Sequence, residues 1–385
     1  MAPRTPSTRP VKILLLGATG SIGTSVCNCV RRFPDHFKLT GISGFTNTRL
    51  LLAQANEFMP HAVCIADTAA SLQVPSTCTV YEGPQGMADC VNELDYDILL
   101  NALVGAVGFS PTVLALKRNK RVALANKESL VIGGDYINSL LKQGLGELLP
   151  VDSEHSAIFQ CLMGHNVDSV ESIILTASGG PFRNLPHDQL KNITPAQALN
   201  HPTWTMGKKI TIDAATLMNK GFEVIEAHHL FNIGYDRLRV CVHPQSIIHS
   251  MVEFHDGAVL AQLGIPDMEL PIQFALSYPE RLPLQPKRLS LADIGTLTFF
   301  EPDLTKFPCL RLALEAGRIG RSLPVVLNAA NEVAVDLFLN NRISFDRIPE
   351  LIEAELEHHV AIDICDSATI EAVDSQTRAR IASSL

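Results

Sequence analysis

The sequence predicts an α/β protein, on three observations. Residues 11–23, VKILLLGATGSIG, run as one apolar strand into a glycine-rich turn. From there to residue 126, apolar strands alternate with helix-length segments. Residues 304–385 read instead as amphipathic or alanine-rich helices separated by Gly, Pro and Asn.

Gly17, Gly20 and Gly23 suit a chain that turns sharply, brings its amides near a pyrophosphate and starts a helix close to the sheet. The alternative is a tight turn in some other α/β domain. A helix over TSVCNCVRRF (24–33) leads to the strand FKLTGISGF (37–45). That strand ends in Ser43, Gly44, Phe45, Thr46, Asn47 and Thr48, with Arg49 beyond and no acid for a ribose diol. Hydroxyls and an arginine in that place favour a 2'-phosphate, hence NADP over NAD. A helix near 49–57 follows, then strands at 62–66, 78–81 and 95–103, a glycine-rich exit feeding a helix over 104–119, and a strand at 120–126. The alternation means a parallel sheet with helices on both faces, a Rossmann-like domain over residues 1–145. Asn101, Gly105, Asn126, Lys127 and Glu128 all fall at strand ends or in the turns after them, the edge where such sheets bind ligands.

Composition sets the outer limits. The chain has 385 residues, 46% hydrophobic and 18% charged, enough for two or three cores. A net charge of -9 offers no footprint for nucleic acid or an anionic membrane, while a local basic pocket for a small phosphorylated ligand stays compatible. The 9 cysteines are odd in number and contain no CxxC pair, so they read as reduced, mostly buried thiols. The opening MAPRTPSTRP has no apolar core of a signal peptide, and no stretch reaches the length of a membrane span. The cytoplasm is the default location.

Residues 146–279 read as a central α+β domain carrying the chemistry. Asp152 and Glu154 stand two apart after a short apolar strand. If extended, they point the same way and invite a divalent cation; if DSEHSAIFQ is a capped helix, they are its N-cap and first-turn acid. The two readings are compatible. The strand VESIILTASGGPF (170–182) ends in Ser178-Gly179-Gly180, whose hydroxyl and amides could hold a phosphate. The stretch 201–227 supplies a loop with Trp204 and Met206, a lysine pair, and a segment with Asn219, Lys220 and Glu223. On a helix, 219 and 223 share a face and 220 lies close, so amide, ammonium and carboxylate could converge on an anion or metal; the alternative is an ordinary solvated helix. Asp152, Glu154 and Glu223 form an all-oxygen set suited to Mg2+ or Mn2+ and poorly suited to zinc. Strands joined by a DG turn follow, with His243, Ser246 and His249 placed on the first of them and His243 read as a structural residue.

Residues 280–303 are proline-rich and read as a linker, and 304–385 as a small helical bundle. Asn328, Asn331 and Glu332 read as caps and packing-edge groups in that bundle rather than as a site.

The blocks GATGSIG, NALVGAVG, ALANKES, VDSEHSAIFQ, TASGGPF, HPTWTMGKKI, ATLMNKG, HPQSIIHSMVEF, AQLGIPDMELPIQ and FFEPDLTKFPCLRLALEAG together resemble the 1-deoxy-D-xylulose 5-phosphate reductoisomerase family, from about residue 11 to about 350. The resemblance implies NADPH- and metal-dependent rearrangement and reduction of 1-deoxy-D-xylulose 5-phosphate to 2-C-methyl-D-erythritol 4-phosphate, in non-mevalonate isoprenoid biosynthesis. It implies a homodimer acting on a small sugar phosphate, with neither nucleic acid nor membrane as partner. It makes Asp152, Glu154 and Glu223 the ligands of Mg2+ or Mn2+, with Co2+ a further option. Ser178, Asn219 and Lys220 would hold the phosphate, with His201 and His249 lining the pocket and Ser153 and Lys127 near the diol and metal. Residues 201–210 resemble a mobile lid in which Trp204 covers the substrate and Met206 approaches the nicotinamide. The catalytic set is then Lys127, Glu154, His201, Trp204 and Met206. The cofactor set is Gly17, Thr19, Gly20, Ser21, Ile22, Gly23, Gly44, Asn101, Asn126, Glu128 and Met206. Two positions depart from the family pattern. Ala214 stands where relatives have a phosphate-binding serine, and Phe45-Thr46 where they have a small or basic residue followed by asparagine. These departures permit an NADP-dependent dehydrogenase of another phosphorylated hydroxy-ketone. A catalytically silent NADP sensor is the third reading, against which the intact carboxylates and lid argue.

Overall fold

Leucine and isoleucine fill the last four positions of the first strand, VKILLL, and all four are buried. A strand apolar on both faces belongs in the middle of a parallel sheet covered by helices. The computed structural model describes residues 9–66, 74–284, 288–364 and 366–384. Most of the opening MAPRTPSTRP and residues 285–287 of the 280–303 linker lie outside them. The chain divides into two compact units, one made of Met1–Ser129, Ile137–Ser156 and Asp267–Gln285, the other of Leu130–Tyr136, Ala157–Pro266 and Pro286–Leu385.

Chain order begins β1 (Val11–Leu16), α1 (Ser21–Arg32), β2 (Phe37–Gly44), α2 (Thr48–Phe58), β3 (Ala62–Ile65), β4 (Thr79–Glu82), α3 (Gly83–Glu93) and β5 (Ile98–Asn101). It continues with α4 (Phe109–Lys117), β6 (Arg121–Leu124), α5 (Glu128–Lys142), β7 (Glu147–Pro150) and α6 (Ser153–Leu162). Among the described residues the first unit holds seven strands in the order β4-β3-β2-β1-β5-β6-β7, every pairing parallel. The order reverses between β1 and β5, which opens a crevice beyond their carboxyl ends. The alternation read from the sequence therefore holds, with α3 and α5 as further helices and with a kink in α5 at Gly133.

Next come β8 (Val170–Ala177), α7 (Pro195–Ala198), α8 (Lys208–Thr216), α9 (Met218–Phe231), β9 (Leu238–Val242), β10 (Ile248–Phe254), β11 (Val259–Leu263) and α10 (Glu269–Ser277). Helix α10 belongs to the first unit, where Glu269 meets Arg32 of α1 at 2.7 Å. The chain ends with α11 (Leu291–Ile294), α12 (Pro308–Ile319), α13 (Leu323–Leu339), α14 (Arg347–His358) and α15 (Ser367–Ser384). In the second unit the described strands form a sheet ordered β11-β10-β8-β9, with β10 antiparallel to β8 and β11 and β9 parallel to β8. Val224, Ala227 and Phe231 of α9 share a core with Ile173, Leu175 and Val252 of that sheet. Gly221 lets α12 approach α9, since a Cβ there would run into Ala313. That close packing of α9 fixes the direction in which its first turn presents Asn219 and Lys220.

Of the two readings of Asp152 and Glu154 the helical one holds: α6 begins at Ser153, and the Asp152 carbonyl accepts the Ser156 N–H at 2.8 Å. Two local expectations change. His243 and Ser246 lie between β9 and β10, leaving His249 alone on a strand, because the chain turns through Ser246 at φ 51°. Residues 208–210 are the start of α8 rather than loop, and a left-handed Leu217 (φ 61°) breaks α8 from α9.

Candidate active site

In the first unit the glycine turn sits at the mouth of the β1/β5 crevice. Gly17 has φ 83°, and a Cβ on it would lie 2.5 Å from the Ala102 carbonyl oxygen at the end of β5, so only glycine fits. The Gly17 N–H donates to Ser43 Oγ at 2.9 Å and the Ala18 N–H to the Ser43 carbonyl at 2.8 Å. Beneath the turn, buried Gln54 of α2 donates to the Ala18 carbonyl at 2.9 Å. Gly20 enters α1 in extended geometry without a side-chain cap, and the first turn of α1 carries no acid. A helix start with its amides and dipole left to an anion fits a pyrophosphate.

The opposite wall is braced from within. Asn101 donates to the Gly108 carbonyl and to Thr112 Oγ1, both at 2.8 Å. Asn126 donates to the Leu103 and Gly105 carbonyls at 2.9 Å and to Glu128 at 3.1 Å, and accepts from the Ser129 N–H at 3.0 Å. These amides hold the loop after β5 in shape. Ser43, read as a ribose-phosphate contact, is buried and holds the Gly17 amide, so its hydroxyl is engaged in the turn. Phe45 is 62% exposed and Asn47 caps α2 through Leu50.

At the end of β7, Lys127 Nζ lies 2.8 Å from Asp152 Oδ2, with both side chains mostly buried. Burial alone would raise the Asp152 pKa, but Lys127 and His155 outweigh it and hold the carboxyl well below its ordinary range. Ser153 donates to Glu154 Oε2 at 2.6 Å. In the second unit, on the buried face of α9, Glu223 accepts from both Asn219 and Lys220. Asp152 and Glu154 of the first unit, and Glu223 of the second, are carboxylates each met by a cationic or polar donor, and carboxylate oxygen is the ligand that hard cations take.

The second unit also holds a glycine-rich turn. Ser178 leaves β8 and is followed by Gly179 and Gly180 at φ 81° and 67°. The Gly180 N–H points to Ser178 Oγ at 3.3 Å, and His201 Nε2 lies 3.0 Å from that oxygen. His201 Nδ1 accepts from the N–H groups of Thr203 and Trp204 at 3.2 and 3.0 Å. An Nδ1 that accepts twice leaves the proton on Nε2, which donates to Ser178. The Trp204 and His249 ring centroids are 6.3 Å apart. So Ser178, His201, Trp204 and His249 are gathered around one turn, with Met206 half-buried on the same loop.

Other polar groups are spent on structure. His243 bonds the Thr298 carbonyl at 3.0 Å and the Ile247 N–H at 3.1 Å, and stacks on Phe299. Asn331 donates to Asp213 of α8 at 2.8 Å, and Glu332 joins Asn328 to Arg378. Gln54, which braces the glycine turn from beneath, was not singled out from the sequence; a polar residue at a buried helical position was its available signal.

Family models described as 1-deoxy-D-xylulose 5-phosphate reductoisomerase, that enzyme's C-terminal domain, and the DXP reductoisomerase C-terminal domain match residues 13–134, 148–231 and 263–380. The chain is 52% identical over 370 residues to the 1-deoxy-D-xylulose 5-phosphate reductoisomerase of Prosthecochloris aestuarii, covering 94% of this chain and 97% of that one. Its counterpart in Halothermothrix orenii is 49% identical over 374 residues, covering 96% and 97%. Among solved structures, the Zymomonas mobilis enzyme in complex with NADPH superposes with TM-score 0.89 at 38% identity, covering 97% of this chain and 99% of that one. A DOX-P reductoisomerase in complex with NADPH, fosmidomycin and magnesium gives TM-score 0.91 at 38% identity, covering 97% and 98%.

Proposed function

The chain belongs to the 1-deoxy-D-xylulose 5-phosphate reductoisomerase family, and from that premise we infer that it converts 1-deoxy-D-xylulose 5-phosphate to 2-C-methyl-D-erythritol 4-phosphate with NADPH and a divalent cation. The observation that carries this reading is similarity along nearly the whole chain to relatives of that name, 52% identical over 94% of it. Neither a dehydrogenase of another hydroxy-ketone nor a silent sensor has an observation of its own in support.

When bound, NADPH supplies the hydride and the divalent ion supplies Lewis acidity at the keto and hydroxyl oxygens. Everything else falls to the chain. The Gly17–Gly23 turn and the start of α1 bind the pyrophosphate, while Ser43 and Gln54 keep that turn in shape. Thr19, Ser21, Ile22, Gly44 and the loop braced by Asn101, Asn126 and Glu128 line the cofactor. Asp152, Glu154 and Glu223 hold the ion, Mg2+ or Mn2+, with Co2+ a further option. Lys127 and Ser153 orient the substrate diol. Ser178, Asn219 and Lys220 hold the phosphate and so fix the position of the reacting carbons at the other end. His201 donates its Nε2 proton toward Ser178, and His249 completes that wall. Trp204 and Met206 close over substrate and nicotinamide and exclude water. The protein acts as a cytoplasmic homodimer, its residues 1–145, 146–279 and 304–385 serving cofactor binding, catalysis and support, with 280–303 connecting the last two.

The test is NADPH consumption that requires both the keto-sugar phosphate and Mg2+, followed by identification of the product. A branched, rearranged carbon skeleton supports the reading. An unrearranged alcohol would instead identify a simple dehydrogenase, and metal-independent or absent turnover by folded protein would sink the enzymatic reading.

A further inference from the structure

We propose that Lys306 is a positioning residue that sets the affinity of the Ser178 turn for the substrate phosphate. Its Nζ donates to two successive carbonyls, Phe182 at 2.8 Å and Arg183 at 2.7 Å, across more than 120 residues of sequence. The base of Lys306 is itself fixed. Asp303 Oδ1 accepts the N–H groups of Thr305 and Lys306 at 3.1 and 2.9 Å, and the Asp303 carbonyl accepts that of Phe307 at 3.0 Å, just ahead of α12.

Gly179 and Gly180 both have positive φ, so the two residues after Ser178 are the least sterically restricted part of the turn, which Pro181 then stiffens ahead of Phe182. The turn is pinned at three places. Strand β8 fixes its start, and α8 fixes its middle, where a Cβ on Gly180 would lie 2.7 Å from the Ala214 carbonyl oxygen. Lys306 fixes its end, together with the buried Phe182 ring, which meets Phe345 edge-on at 5.4 Å. Ammonium-to-carbonyl bonds are charge-assisted and directional, so they hold both carbonyls in register with the Ser178 hydroxyl. With Ala214 supplying no hydroxyl from α8, more of the phosphate grip depends on how well this turn is pre-organised. The inference rests on Ser178 being a phosphate contact, as proposed above.

The experiment compares Lys306→Met, Lys306→Gln and Lys306→Arg with wild type in the full-length enzyme. It measures KM and kcat for the keto-sugar phosphate, KM for NADPH, the Ki of inorganic phosphate, and Tm. In Lys306→Met, KM and the phosphate Ki should both rise about tenfold while kcat and the NADPH KM stay within about twofold. Lys306→Arg, which keeps a charged donor, should recover most of the affinity. If Lys306→Met does not fold, Lys306→Gln carries the same comparison with a smaller rise. A wild-type KM and Ki in a folded variant would overturn the proposal, as would a loss spread equally over kcat and both KM values in step with Tm. Absence of turnover in the wild type would count against the proposed function instead, since the phosphate Ki is then replaced by direct phosphate binding, where the same tenfold weakening is expected.

Discussion

His201 Nε2 lies 3.0 Å from Ser178 Oγ, while Nδ1 of the same ring accepts from the backbone of Thr203 and Trp204. A protonated ring would point an N–H at those two donors. Burial lowers the His201 pKa from 6.5, so the unfolded chain takes up a proton first as the pH falls. Stability from neutral His201 is therefore complete above that value and is lost on acidification below it. Tm should rise with pH through this window, and substrate KM should fall. His229, pushed down to about 4 by burial against the pull of Asp135, adds a slope of the same sign. The difference between wild type and His201→Asn isolates the loop histidine, and equal slopes in the two proteins would refute its role.

Ala214→Ser should tighten substrate binding. The residue is half-buried on α8, and its carbonyl faces Gly180 of the Ser178 turn. A new hydroxyl donating to a phosphate would contribute about 1.5 to 3 kcal/mol, or roughly ten-fold or more in KM. The NADPH KM should not move. An unchanged substrate KM would mean that the hydroxyl does not reach the phosphate or that water already fills its role.

Gly17→Ala tests the cofactor turn. The added methyl meets the Ala102 carbonyl in a backbone conformation that disfavours side chains, at a cost of about 1 to 3 kcal/mol. NADPH affinity should fall by more than stability alone explains, because the turn must shift away from β5. Ser43→Ala should give a milder version, removing one acceptor from the Gly17 amide. Titrating NADPH by fluorescence beside a Tm measurement separates the two effects; wild-type NADPH affinity in Gly17→Ala would contradict the assignment.

What could be read from the sequence was what is local. The VKILLLGATGSIG turn, the Ser178-Gly179-Gly180 strand exit and the one-face placement of Asn219 and Glu223 depend on neighbours within a few residues. Partners distant in sequence were not legible. Gln54 reaches Ala18 across 36 positions and Lys306 reaches Phe182 across 124, and nothing near either residue signals its partner. The break between α8 and α9 was hidden for another reason. It rests on a leucine at φ 61°, a conformation that no local preference of Leu217 suggests, and that packing on both sides must impose. Likewise Ser43 has the right chemistry for a ribose phosphate, yet its hydroxyl accepts the Gly17 amide.

Lys127 and Asp152 give the last prediction. Their 2.8 Å pair is mostly buried, and removing the ammonium would leave a carboxylate without its cation, at a cost of about 3 to 5 kcal/mol. Lys127→Met should therefore lower Tm in the absence of metal. A divalent cation at Asp152 would replace the missing charge, and without the neighbouring ammonium it would meet less repulsion. Added Mg2+ should then raise Tm more in Lys127→Met than in wild type, with a midpoint at equal or lower concentration, although turnover falls because the substrate loses a cationic partner. Asp152→Asn should behave in the opposite way, with Tm barely responsive to Mg2+ at any concentration. A Mg2+ midpoint above the wild-type value in Lys127→Met, or a Tm that no longer responds to Mg2+, would mean that Lys127 supports the metal rather than competing with it for the carboxylate.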